Sequence, residues 1–230
     1  VAHVDTVFLA PYLPALEGVP LVLNHHNVES HLVEQRAARA GGAAGRYLAV
    51  QARRTAAVER RWAARARQNV VVSELDGERL AALVPGISYR VVPNGVDVDF
   101  FAPSSAPPAP HSLVWAGGMD WFPNADAVRW MAAELWPALA ADEPRRTLTV
   151  VGRAAPAEIT ALAARDPRVR VPGFVDDVRP YVTGAAAYLC PIRVGGGTRL
   201  KVLDALAMGC PLVATAVAVE GLGLVPEEHY

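Results

Sequence analysis

Ala186-Ala187-Tyr188-Leu189-Cys190, then Pro191-Ile192-Arg193-Val194-Gly195-Gly196-Gly197-Thr198-Arg199-Leu200-Lys201-Val202-Leu203-Asp204-Ala205-Leu206-Ala207-Met208, then Pro211-Leu212-Val213-Ala214 form the stretch that decides the fold. An apolar run, a glycine-rich loop, a segment of helical length (Thr198 to Met208) and a second apolar run predict strand, loop, helix and strand. Parallel sheets are built from that unit. Three consecutive glycines let the backbone approach a ligand, and the N–H groups of the helix start behind them favour an anion, with Thr198 placed to cap. The spacing predicts a phosphate cradle at Gly195, Gly196, Gly197 and Thr198. Arg199 and Lys201 add positive charge, and Asp204 lies where a carboxylate can accept a ribose hydroxyl. The alternative is a mobile glycine loop with solvated charges. A Walker A loop requires Gly-Lys-Ser/Thr, and the dinucleotide fingerprint requires glycine where this chain has Leu200, so neither motif fits.

Outward from this stretch the same rhythm continues. Strands are expected at Ser112 to Ala116, Thr147 to Val151 and Arg168 to Val171, with a helix from Asn124 to Leu139. Upstream, Val19 to Asn24, Asn69 to Val72 and Tyr89 to Val92 read as strands, Glu34 to Arg67 as helix, and Ser73 with Asp76 as a helix start. The uncharged Pro103-Ser104-Ser105-Ala106-Pro107-Pro108-Ala109-Pro110 reads as a linker, dividing the chain into residues 1–105 and 106–230. The fold class is α/β, with two doubly wound units.

Composition narrows the function. The 230 residues carry 22 Lys+Arg against 23 Asp+Glu, a net charge of −1, which excludes a strongly basic nucleic-acid binder. Apolar residues at 52% exclude a disordered chain. Of the 22 cations, 21 are arginine; Lys201 is the only lysine, in a chain rich enough in Ala and Arg that a surviving lysine suggests a reason for keeping it. Cys190 and Cys210 are too few for a disulfide framework and lack zinc spacing, so a reduced, cytoplasmic setting is expected. The uncharged stretch Ala205 to Val219 has 15 residues, fewer than the ~20 a spanning helix needs.

Four motifs in one order carry a resemblance: Asn94-Gly95-Val96-Asp97; Trp115 to Asn124 (Trp-Ala-Gly-Gly-Met-Asp-Trp-Phe-Pro-Asn); Gly173-Phe174-Val175-Asp176-Asp177-Val178-Arg179-Pro180-Tyr181; and Gly195 to Gly209. With His26-Asn27-Val28-Glu29-Ser30 upstream, the chain resembles a retaining glycosyltransferase of the GT-B fold, in the family 4 group. The resemblance implies two Rossmann-like lobes, an acceptor held by the first, a UDP- or GDP-sugar held by the second, and transfer without a metal. It implies His26, Arg199 and Lys201 at the reacting centre. Donor contacts are implied at Gly118, Phe174, Val175, Gly195, Gly196, Gly197, Thr198, Leu200, Asp204 and Glu220.

Asp204 takes the place of the second glutamate in the family's pattern of Glu, seven residues, Glu, and Gly196 stands where the first belongs. That departure motivates a rival reading, a nucleotide-sugar-binding protein that does not transfer. Asp97-Val98-Asp99 imitates a metal-binding triplet of another glycosyltransferase fold but sits within the linker motif. A structural histidine is the bland reading of His26, and a surface glutamate that of Glu220. His25 has the weaker claim, because adjacent strand residues point to opposite faces. From Glu34 to Arg67 nine arginines face only Glu34 and Glu59. Such a helix suits anionic lipid and a lipid-linked acceptor, possible at the inner face of the membrane, although arginines spread around the helix favour an ordinary solvated face with Leu48, Val58 and Trp62 packed inward. At 230 residues, both lobes are expected to be cut short at their outer ends. The pathway implied is polysaccharide biosynthesis.

Overall fold

The computed structural model describes every residue from Val1 to Tyr230. The chain forms two compact units. The first comprises Val1–Asn94 with Val194–Thr198 and Glu220–Gly223; the second comprises Gly95–Arg193, Arg199–Val219 and Leu224–Tyr230. The Pro-rich stretch therefore lies inside the second unit. The residues just before it are tied there by Arg179, whose guanidinium donates to the Phe100 carbonyl (3.1 Å) and stacks on the Phe100 ring (3.9 Å).

In the first unit β1 (Ala2–Asp5), β2 (Leu21–His25), β3 (Gln68–Val71) and β4 (Tyr89–Val91) form one parallel sheet in sequential order. Within that sheet each strand adds beside its predecessor, as parallel strands joined by crossover connections do. Leu23, Val71 and Leu80 of α3 (Glu74–Leu83) are fully buried. α3 begins as the sequence predicts: the Ser73 hydroxyl accepts from the Asp76 N–H (3.1 Å).

The long helix expected over 34–67 is instead two, α1 (Glu29–Ala40) and α2 (Gly42–Ala63), broken where Gly41 takes φ 61°. Gly45 allows the two helices to pack closely, since a Cβ there would lie 2.9 Å from the Ala37 carbonyl oxygen. α1 has no capping side chain of its own. Its first N–H groups donate to Glu59 of α2, Glu29 at 2.6 Å and Ser30 at 3.2 Å, which puts a buried carboxylate on a helix N-terminus. Burial pushes the Glu59 carboxyl up despite these bonds. A 3-10 segment, Val7–Leu16, joins β1 to β2; Pro11 and Pro14 within it rule out a regular α-helix.

The second unit contains β5 (Ala109–Ala116), α4 (Phe122–Trp130), α5 (Trp136–Asp142), β6 (Thr147–Val151), α6 (Ala157–Arg165), β7 (Val169–Gly173), α7 (Arg179–Thr183), β8 (Ala185–Cys190), α8 (Leu200–Ala207) and β9 (Leu212–Ala214). A π-helical turn, Met131–Leu135, separates α4 from α5; Pro137 has no N–H to continue the α pattern, and the Trp136 N–H reaches back to the Met131 carbonyl. The sheet is parallel in the order β7-β6-β5-β8-β9, so winding proceeds from β5 to one side and then resumes on the other at β8. Trp115, Met131, Leu148, Val150 and Ile159 fill the core on one of its faces. No helix in the chain is long and apolar enough to cross a membrane.

Candidate functional site

The reversal between β5 and β8 is where an open α/β sheet parts its loops and leaves a crevice at the carboxyl ends of its strands. A cavity of about 350 Å³ lies there. Gly117 and Gly118 after β5, Gly152 and Arg153 after β6, Phe174 and Val175 after β7, and Lys201 and Asp204 of α8 line it. Of the residues singled out from the sequence, Gly118, Phe174, Val175, Lys201 and Asp204 are thus brought together. Phe174 is 70% exposed, an aromatic face open at the rim.

Lys201 is held from several directions. Its Nζ donates to Asn124 Oδ1 (2.8 Å) and sits 4.5 Å from the centre of the Trp115 ring. The Asn124 amide in turn donates to the Gly118 carbonyl (2.7 Å), so one side chain fixes both the ammonium and the β5 loop. Gly117, at φ 156°, is glycine because a Cβ there would collide with the Lys201 ammonium and approach Trp115 to 3.1 Å. Burial lowers the Lys201 amine to about 8, and neighbouring Arg199 adds to the effect while Cys190 and Asp204 oppose it. Burial also raises the Asp204 carboxyl, against the pull of Lys201. Beneath the cavity the buried Tyr188 hydroxyl donates to the Ala116 carbonyl (2.9 Å). Arg193, at the end of β8, forms a two-point pair with Asp126 of α4 (3.1 and 3.0 Å).

Four other sequence-predicted residues, Gly195 to Thr198, belong to the first unit. The Gln35 amide clamps Gly195 at two points, donating to its carbonyl (2.9 Å) and accepting from its N–H (2.8 Å). The Gly197 N–H donates to Asp76 Oδ1 (3.3 Å), so this amide already binds an oxyanion, the carboxylate standing where a phosphate oxygen was expected. Thr198 does not cap a helix. α8 starts two residues later with Arg199 at its N-cap, and the Thr198 hydroxyl accepts from the Asn94 amide instead (2.7 Å). Leu200 is 52% exposed and does not line the cavity of the second unit.

Gly197, at φ 65°, lies against the His26 backbone, where a Cβ would collide with the carbonyl oxygen. Gly196 is less constrained: a Cβ would meet only Asn27, at 3.5 Å. Glu220 pairs with Arg79 (2.7 Å), so its carboxylate is already engaged within the first unit. His26 follows β2 with Nε2 3.7 Å from Asp5 Oδ1, half exposed, while His25 is buried against Asn69 (3.0 Å) and held below the ordinary histidine range by burial. Asp97 accepts from the N–H groups of Asp99 and Phe100, closing its own turn.

Gln35 gave no sequence signal. Asp76, Asn94 and Asn124 stood in quoted motifs, but nothing local marked them as partners of Gly197, Thr198 and Lys201.

Two parallel α/β units, the second with a basic, glycine-rimmed cleft at its strand-order reversal, define a GT-B type of protein. The model described as "Glycosyl transferases group 1" matches residues 110–228, and that of "Glycosyltransferase Family 4" matches residues 1–100, so the chain belongs to the group 1 glycosyltransferase family. Sucrose-phosphate synthase from Thermosynechococcus elongatus is similar in fold, with 20% identity and a TM-score of 0.73 over 98% of this chain and 58% of that one. Anabaena Alr3699/HepE, solved in complex with UDP-glucose, gives 16% identity and a TM-score of 0.67 over 98% of this chain and 62% of that one. The chain therefore spans about three fifths of the length of these structures. No curated protein matches the sequence.

Proposed function

We propose that the protein is a retaining glycosyltransferase that moves a hexose from a UDP- or GDP-sugar to a carbohydrate or lipid-linked acceptor, within polysaccharide biosynthesis in the cytoplasm or at the inner face of the membrane. The observation that carries this reading is the only lysine, held by Asn124 and Trp115 in a cleft that also presents an exposed aromatic ring and a carboxylate. In this reading Phe174 and Val175 receive the base, and Asp204 accepts a ribose hydroxyl. Lys201 and Arg199 meet the diphosphate. When the glycosidic bond breaks, its electron pair goes to the diphosphate oxygen, and stabilising that developing charge is the main catalytic task. These two cations take that role, and no metal is assigned to it. His26 approaches the transferred sugar. The UDP-glucose in the HepE structure supports this class of donor.

One observation favours a second reading, binding without transfer: Gly196 occupies the place of an acid although its backbone does not demand glycine. Turnover separates the two. Purified protein incubated with UDP- or GDP-sugars and a panel of oligosaccharide and lipid-linked acceptors, with and without EDTA, is expected to release nucleoside diphosphate only when acceptor is present and equally with the chelator. Tight nucleotide binding with no acceptor-dependent release would establish the second reading.

A further inference from the structure

The side chain that clamps Gly195 is itself held. His31 and Gln35 lie one turn apart on α1, and with Gly195 they belong to the first unit. Gln35 Nε2 donates to the Gly195 carbonyl (2.9 Å), Gln35 Oε1 accepts from the Gly195 N–H (2.8 Å), and Nε2 also lies 2.7 Å from His31 Nε2. Gly195 offers this amide one donor and one acceptor, so the amide has a single orientation. Its second N–H therefore serves His31, and His31 Nε2 must accept. A neutral ring with its proton on Nδ1 meets that demand; a protonated ring, which donates from both nitrogens, does not.

The surroundings favour the neutral ring. Burial holds His31 below the ordinary histidine range, and the Arg79 guanidinium of α3 pushes the same way, whereas Glu220, Glu34 and Asp76 oppose it. Two of those acids are engaged elsewhere: Glu220 accepts from Arg79 (2.7 Å), and Asp76 accepts from the Ser73 hydroxyl and the Gly197 N–H. A proton on His31 Nε2 would set two donors against each other at hydrogen-bond distance. The amide relieves that clash by turning its oxygen to the ring, and the turn takes the acceptor away from the Gly195 N–H. Gly195 then loses both bonds at once, while Gly197 keeps its own tie to Asp76.

We propose that His31 is a positioning residue for the glycine segment: as a neutral acceptor it locks the Gln35 amide on Gly195, and as a cation it releases it. The segment leads in sequence to Arg199 and Lys201, so the consequence for catalysis rests on the transfer reading above, whereas the coupling itself is measured on the free protein. The test is an NMR titration of the full chain, labelled with ¹⁵N and ¹³C, that follows the His31 ring and the Gly195 amide. Both are expected to move with one midpoint, below the ordinary histidine value. His31→Gln, whose carbonyl oxygen is an acceptor that does not titrate, should keep the Gly195 amide protected and abolish its pH step. His31→Lys, a donor at neutral pH, should speed solvent exchange of the Gly195 N–H by about tenfold over the unsubstituted protein at the same pH, the scale of one lost hydrogen bond. In turnover, the unsubstituted protein should lose acceptor-dependent release on the acid side of that midpoint, and His31→Gln should retain it there. The proposal is overturned if the Gly195 amide ignores the His31 titration, if His31→Gln keeps the step, or if the two proteins lose release in parallel. An unchanged exchange rate in His31→Lys also overturns it, and should that variant not fold, the titrations decide. Absence of any turnover counts against the transfer reading alone.

Discussion

The two units use the same parallel strand-and-helix grammar and arrive at different chemistry. In the first, strands add in one direction, and the carboxyl ends of β1 and β2 present Asp5, Asn24 and His26, side chains that remain largely in contact with water. In the second, the order reverses at β5 and β8, and the opening so created holds a lysine whose charge is costly to keep. A reversal separates neighbouring loops, and the space between them can be shielded from water without being filled by core. A cation placed there gains more from an incoming anion than one on an open rim.

The largest expected effect tests that difference directly. Lys201→Ala should weaken UDP binding by about 100-fold, the scale of a lost charge-assisted contact, while uridine affinity stays nearly unchanged; calorimetry with both ligands measures this. Equal losses for the two would remove the phosphate role from the second unit. The next effect is in pH. Because the free amine titrates near about 8, binding below that value finds the ammonium already formed, whereas above it each bound diphosphate must draw a proton onto Lys201. UDP affinity should therefore be flat from about pH 7, where the terminal phosphate is fully ionised, up to that value, and fall by about tenfold per pH unit above it. Lys201→Arg, charged throughout, should lose this slope.

Smaller effects sharpen the first unit. Gln35→Leu removes both hydrogen bonds to Gly195 and should cost about 1 kcal/mol in urea unfolding. No change in stability would mean that the glycine segment does not contribute to the fold of the first unit. Gly196→Glu should change stability least, because its backbone is compatible with a side chain and the space beside Asn27 is adequate. Its effect on turnover then reports whether the missing acid limits the chemistry.

The sequence was most legible where structure is local. Thr147–Val151 is the strand predicted, and Ser73 caps α3 as expected, because alternating burial and capping act within a few residues. It was less legible at the Val7–Leu16 segment, an apolar run that two prolines turn into a 3-10 path, and at Gly41, where a single positive φ divides a helix. The site divides in the same way. Lys201 stood out by composition alone, whereas Asn124 meets it across 77 residues and Gln35 meets Gly195 across 160. No local pattern encodes such distances; they follow from strand order.

A protein with one ε-amine, half-buried and weakly basic, also offers a rare handle. Reductive methylation of Nζ with ¹³C-formaldehyde would place the chain's single side-chain amine signal inside the cleft. Every arrival of an anion would then move one resonance, so that occupancy, exchange rate and protonation could be read from the same atom.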